Sequence, residues 1–262
     1  MGFTIATNVS SLNAMRNLTL NQTAQAKSVE RLSSGLRINR AADDAAGLSI
    51  SEGLKNQISG LTQAGRNAQD GISLVQTAEG ALTEVHNILN RMRDLAVQAS
   101  NDTNNADSRT AIKSEIDELS SELGRISQTT NFNGIQLLGP GTDAAANPLA
   151  ATLKIQVGAD ANETIDITQA NVAATITTLT GVAPGATGTS TLLVNDQAAA
   201  AASITKLDAA IATTSEQRAN LGAQQNRLES TARTIAVSVE NLSAANSRIR
   251  DTDMATEISD ID

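Results

Sequence analysis

The chain has 262 residues, 19 basic and 28 acidic, for a formal net charge of −9, and it holds no Cys, Trp or Tyr. Without thiols there is no disulfide, no thiolate nucleophile and no Cys-ligated metal. With Phe3 and Phe132 as its only aromatics, it lacks the large rings that fill enzyme-like cores, and a pI near 4.7 speaks against nucleic acid, whose phosphates demand clustered Lys and Arg.

The first segment, 1–40, has apolar residues at helical spacing. Ile5, Val9 and Leu12 form one group and Val29, Leu32 and Leu36 another, separated by Thr19, Asn21, Gln22 and Thr23. Such a helix depends on packing against something else. The small and acidic run at 41–47 follows, and Asp43 or Asp44 is expected to cap the next helix.

That helix carries a seven-residue repeat. Leu54, Leu61, Ala68, Val75, Leu82, Leu89 and Ala96 are all apolar. The companion row, three residues on, reads Ala64, Gly71, Ala78, Val85, Met92 and Ala99 after a first Gln57. A repeat held this long predicts a coiled-coil-like helix of ~69 Å. After the polar break at 101–105, Ile112, Ile116, Leu119, Leu123 and Ile126 predict a shorter helix with Asp107 or Ser108 as N-cap, and Asn133-Gly134 predicts a turn.

The only prolines are Pro140, Pro148 and Pro184, all in the middle region. There Leu153, Ile155 and Val157, then Ile165 and Ile167, alternate with polar residues around Gly158–Asn162, which predicts a β-hairpin. Residues 175–179 and 192–194 read as weaker strands. The last long segment repeats the seven-residue design in Leu207, Thr214, Leu221, Leu228, Ile235, Leu242 and Ile249, with Thr214 the one polar member. The fold expected is therefore mainly α: a long coiled-coil-like helical bundle of N- and C-terminal arms that pair with each other, with a small inserted β-hairpin region.

Charge is uneven. Residues 1–40 hold Arg16, Lys27, Arg31, Arg37 and Arg40 against Glu30 alone, while 250–262 hold Asp251, Asp253, Glu257, Asp260 and Asp262 against Arg250. The two ends are complementary, and the expectation is that they meet, within one subunit or between subunits. No catalytic constellation is present. His86 is the only His, which cannot build a His-rich metal site, and there is no phosphate-binding Gly-rich loop. No cofactor, enzyme activity or membrane span is expected, and the start lacks the basic-then-apolar pattern of a signal peptide.

Several motifs resemble bacterial flagellins. They are Ile5-Ala6-Thr7-Asn8-Val9-Ser10-Ser11-Leu12-Asn13-Ala14, then Arg31-Leu32-Ser33-Ser34-Gly35-Leu36-Arg37-Ile38-Asn39 followed by 41–48, then 89–99 and Phe132-Asn133-Gly134. In the C-terminal part they are 219–228 and Ser247-Arg248-Ile249-Arg250-Asp251-Thr252-Asp253-Met254-Ala255. The resemblance covers about 1–139 and 200–257. It implies a structural subunit that polymerises with itself into the extracellular helical filament used for swimming. The expected partners are the flagellar cap, the hook–filament junction proteins, the export apparatus and its chaperone.

It also implies a division into a helical inner-tube arm at 1–43, core-domain parts at 44–139 and 201–249, a variable β-rich outer insert at 140–200, and the start of a second inner-tube arm at 250–262. Polymerisation is expected to rest on Ile5, Val9, Leu12, Leu32 and Leu36. A host Toll-like receptor is expected to contact Arg91, Leu95 and Glu115. Flagellins continue for about one helix beyond the Asp253-Met254-Ala255 motif, so most of the C-terminal inner-tube helix is expected to be absent here. A hook–filament junction protein of the same superfamily is the alternative. A chemoreceptor-like coiled coil gives no reason for a β-insert, and an enzyme would need a site hidden in the middle region.

Overall fold

In the computed structural model, which describes residues 8–139, 152–182 and 190–259, the two seven-residue rows become the two longest helices. Helices α1 (Val9–Ser34), α2 (Ala45–Ala99) and α3 (Ala106–Thr129) come first. Strands β1 (Asn131–Phe132), β2 (Ile135–Gln136), β3 (Thr152–Gln156) and β4 (Thr164–Thr168) follow, and α4 (Val172–Thr180), α5 (Gln197–Arg250) and α6 (Met254–Ser259) complete the order. The protein is thus mainly α, with a small inserted hairpin region. The residues group into two units, Gln63–Ile235 and the pair of stretches Met1–Thr62 with Ala236–Asp262. Helices α2 and α5 each lend a part to both.

In the unit of residues 63–235, α2 and α5 pack antiparallel. Arg93 meets Asp208, Glu79 meets Arg218 at 3.6 Å, and a Cβ on Gly71 would stand 3.3 Å from Leu228. One on Gly65 would lie 3.6 Å from Ile235. Each step along α2 is matched by a step back along α5. The apolar rows face this seam: Ala68, Val75, Leu82, Leu89 and Ala96 of α2 and Leu207, Leu221 and Leu228 of α5 are buried. Thr214, the polar exception, is fully buried but donates its hydroxyl to Ala210 O at 2.8 Å, so that hydroxyl is not left orphaned.

The arms are not each other's only cover. A third seven-residue row on α2, Leu74, Ala81, Ile88 and Leu95, also joins the core, together with Ile112, Ile116 and Leu123 of α3 and Ile165, Ile167, Val172, Ile176 and Leu179 from the insert. The β3–β4 hairpin pairs as expected, with Leu153 opposite Ile167 and Ile155 opposite Ile165. It lies against α2, where Asn67 Nδ2 donates to Gln156 O at 3.1 Å. The close approach of Ile155 and Leu228 to Gly71 leaves little room for a side chain at that position.

Three expectations change. Residues 175–179 lie in α4, not a strand. Asn171 caps its start by accepting from Ala174 N, Gly181 (φ 70°) ends it in the left-handed region, and Val172, Ile176 and Leu179 are buried at four-three spacing. The threonines that suggested a strand return their hydroxyls to carbonyls four residues back, as Thr177 does to Ala173 O at 2.8 Å. Residues 192–194 alternate in burial as a strand would, but they pair with nothing among the described residues and form no strand. The N-cap of α3 is Asn105, whose side chain accepts from Ser108 N, while Asp107 falls in the first turn, where its charge suits the helix dipole.

Leu228 is fully buried in this seam. Leu228→Ala is expected to destabilise the protein by about 2 to 5 kcal/mol in chemical denaturation followed by circular dichroism.

Candidate polymerisation interface

Helix α1 begins well. Asn8 accepts from Ser11 N at 3.1 Å, and Gly35 (φ 71°) closes the last turn by donating to Arg31 O at 2.8 Å. Yet α1 buries no residue. Val9, Leu12, Met15, Leu18, Leu20 and Val29 are 54–67% exposed. At 100° per residue these six side chains cover an arc of about 200°. A helix on the surface of its own domain needs an apolar stripe of about half that width. Large apolar groups spread so widely point to more than one neighbour, and among the described residues their own chain supplies none. Of the expected polymerisation residues, Val9 and Leu12 lie on this arc, Leu32 and Leu36 are half-buried near its end, and Ile5 lies outside the described residues.

The base of α1 is tied to the other end of the chain by a clasp inside the same unit. Leu36 and Asp251 form an antiparallel bridge. Around it Arg37 N donates to Arg250 O at 2.7 Å, Thr252 N donates to Gly35 O at 3.0 Å, and Arg37 Nη2 donates to Ile249 O at 2.6 Å. The complementary charges of the chain ends meet here through Arg31 and Glu257, 3.4 Å apart, with Glu257 buried. Arg250 also reaches Glu52 at 2.9 Å, and Ser51 donates to Asn246 at 2.7 Å. Lys55 first, then Arg250, holds the Glu52 carboxyl below its ordinary value.

The turn between α1 and α2 is locked by two carboxylates. Asp44 caps α2, accepting from Gly47 N at 2.9 Å. Asp43 instead faces back: it accepts from Asn39 N at 3.2 Å and Arg40 N at 3.0 Å, and Lys27 lies 2.9 Å away. A side chain at Gly47 would run into the Asp44 carboxylate and the end of the fully buried Ile38 and force both to shift. The Lys27 hydrogen bond, with help from the N–H groups of Arg40 and Asn39, lowers the Asp43 pKa from 3.8 to about 2.

The expected receptor residues fall in the other unit and do not share one exposure. Arg91 on α2 and Glu115 on α3 pair at 2.7 Å in the open. Leu95 is 2% exposed and belongs to the third core row of α2, so its side chain is core packing and does not offer a contact. The row at 74, 81, 88 and 95 was the sign in the sequence that this face of α2 is covered. No group of three or more metal-ligating side chains occurs among the described residues.

Long helices, one of them with an uncovered apolar arc, a clasp between the two ends and no metal-ligating cluster among the described residues fit a self-associating structural subunit. Residues 5–141 match the bacterial flagellin N-terminal helical region and residues 204–262 the bacterial flagellin C-terminal helical region. Flagellin of Halalkalibacterium halodurans is 47% identical over 253 residues, covering 96% of this chain and 86% of that protein. Flagellin of Bacillus subtilis is 46% identical over 271 residues, covering 97% and 88%. The crystal structure of Bacillus cereus flagellin superposes with a TM-score of 0.53 at 36% identity, over 69% of this chain and 94% of that one. A hook-associated protein structure from Vibrio parahaemolyticus shares the fold, with a TM-score of 0.64 over 80% of this chain and all of that one, at 14% identity.

This chain belongs to the bacterial flagellin family. It is a structural protein of the extracellular flagellar filament and not an enzyme, and no helix among its described residues is long and apolar enough to cross a membrane.

A carboxylate with a depressed pKa contributes stability above its unfolded value and loses it as pH falls through the folded one. The Asp43 knot is therefore expected to survive acidification through pH 4 and to be lost near pH 2. Carboxyl NMR titration checks this, and a midpoint for Asp43 near 3.8 or above contradicts it.

Proposed function

We propose that this flagellin polymerises through α1 and the residues flanking it, using Ile5, Val9, Leu12, Leu32 and Leu36, with the clasp at Leu36 and Asp251 holding that helix to the rest of its unit. The single observation behind this is the apolar arc on α1 that the described chain leaves bare. Burying a large aliphatic side chain is worth about 1.5 to 3 kcal/mol, so several per subunit provide ample drive for assembly. A contact between unlike surfaces of identical subunits repeats without closing and generates a helical filament. In that role the subunit's partners are further copies of itself, the cap and hook–filament junction proteins at the filament's ends, and the export apparatus with its chaperone. The junction-protein reading is the weaker one, because it draws on a likeness of 14% identity against 46–47% for the flagellins.

Deleting residues 1–40 is expected to abolish filaments seen by electron microscopy while far-UV circular dichroism still reports a folded helical core. Long filaments from the deletion variant refute the reading.

We also propose that the exposed Arg91–Glu115 pair forms part of a surface recognised by a flagellin-sensing Toll-like receptor, with Leu95 supporting that face from the core. An exposed ion pair contributes about 0.2 to 1 kcal/mol to stability, so its position in the open leaves it available to a partner. Arg91→Ala is expected to leave the melting curve nearly unchanged and to weaken signalling in receptor-reporter cells given purified monomer. Undiminished signalling by the variant, or none by the wild type, contradicts it.

A further inference from the structure

With no Cys, the four Met supply all the sulfur in this chain, and their placement is uneven. Met92 is fully buried in the core of the unit of residues 63–235, and Met1 lies outside the described residues. Met15 and Met254 fall in the other unit and are 64% and 45% exposed. Met254 opens α6 just past the clasp. Met15 is on α1, three residues after Leu12 and three before Leu18. On the helix it therefore stands between them, about 60° round from each, inside the bare apolar arc. The other large side chains of that arc, Val9, Leu12, Leu18, Leu20 and Val29, are hydrocarbons that mild oxidants leave alone. Met15 is the one among them that can be converted chemically into something polar.

We propose that Met15 is an oxidation site that decides whether a free subunit can assemble. The proposal rests on the polymerisation reading of α1 and adds a control to it. The reagent is a peroxide. The thioether sulfur attacks one oxygen of hydrogen peroxide, an S–O bond forms as the O–O bond breaks, and the released hydroxide takes that oxygen's proton and leaves as water. Sulfur is oxidised by two electrons and the peroxide is reduced. The product is a sulfoxide, so an apolar, adaptable side chain becomes a polar one with an accepting oxygen. In the free subunit that oxygen stays in water, because Met15 is no part of the subunit's core. Against an apolar neighbour it loses its water and gains no donor, which is unfavourable. Oxidation thus acts on assembly and not on the subunit's own fold. A methionine sulfoxide reductase reverses it, and a filament that covers α1 shields the sulfur.

The test uses the full-length protein and dilute hydrogen peroxide, with each sulfoxide located by peptide mass spectrometry. In free subunits Met15 is expected to oxidise about tenfold or more faster than Met92, with circular dichroism unchanged. Oxidised subunits are expected to need a concentration about tenfold or more higher to assemble in salt, and a methionine sulfoxide reductase is expected to restore the untreated value. Met15→Leu conserves volume, so it is expected to assemble like wild type and to keep doing so after peroxide, although it retains Met1, Met92 and Met254. Met254→Leu is expected to stay sensitive. Oxidised wild type that assembles at the untreated concentration, or Met15→Leu subunits that peroxide still blocks, overturn the proposal and leave polymerisation through α1 standing. Oxidation of Met15 as fast in intact filaments as in free subunits means an uncovered arc, and overturns the polymerisation reading and this one together.

Discussion

A helix with apolar side chains exposed over about 200° of its circumference, held to the described chain only toward its C-terminal end, is the constraint on which the molecule depends. Water-exposed, α1 carries a standing hydrophobic penalty from Val9, Leu12, Met15, Leu18, Leu20 and Val29. Nothing among the described residues lifts that penalty, and the width of the arc suits the proposed neighbours on more than one side. The capping of α1, at Asn8 and Gly35, fixes where the helix starts and stops but cannot supply the burial that an isolated helix needs.

The α2–α5 seam solves the opposite problem, how to hold two long helices together without aromatics. Leu, Val and Ile at most of the seventh positions supply volume, and the small members of the companion row, Ala64, Gly71, Ala78 and Ala99, let a neighbour approach closely. Close approach multiplies the number of weak dispersion contacts, and density then replaces ring size. The same economy explains how polar residues enter the seam. A buried Thr214 is tolerated because a helix offers its hydroxyl a carbonyl four residues back, whereas a residue needing a partner across the seam would depend on the other helix for satisfaction.

The heptad rows, the β3–β4 hairpin and the charge contrast of the ends were legible because each is a periodic or cumulative signal that local context does not override. The failures have physical causes too. The Thr-rich run at 175–179 has strand propensity, but Asn171 ahead, Gly181 behind and the four-three spacing of Val172, Ile176 and Leu179 outweigh it, so tertiary burial and capping won over β-branching. Leu95 came with Arg91 and Glu115 from the family resemblance, which carries position but not exposure; its burial follows from the third apolar row of α2 at 74, 81, 88 and 95. A helix with three rows is covered from several directions. The clasp itself had no signature beyond charge, since three of its bonds are made or accepted by backbone atoms, and the main chain is alike at every residue.

That backbone clasp explains why the charges at the chain ends need not be strong to matter. Exposed or half-exposed ion pairs give little by themselves, and Arg31–Glu257 at 3.4 Å is not a tight one. Hydrogen bonds between main-chain groups of Gly35, Arg37, Arg250 and Thr252 do not depend on side-chain identity and do not weaken with salt as surface charges do. Charge complementarity at the two ends then favours their approach, while the bridge at Leu36 and Asp251 sets the register. Because α5 continues without a break into the clasp, any load on α1 is passed by directed bonds to the end of a long helix rather than through a loop. A subunit gripped by α1, as proposed, needs such a junction, or assembly would bind the arm and leave the rest of its unit hanging from it.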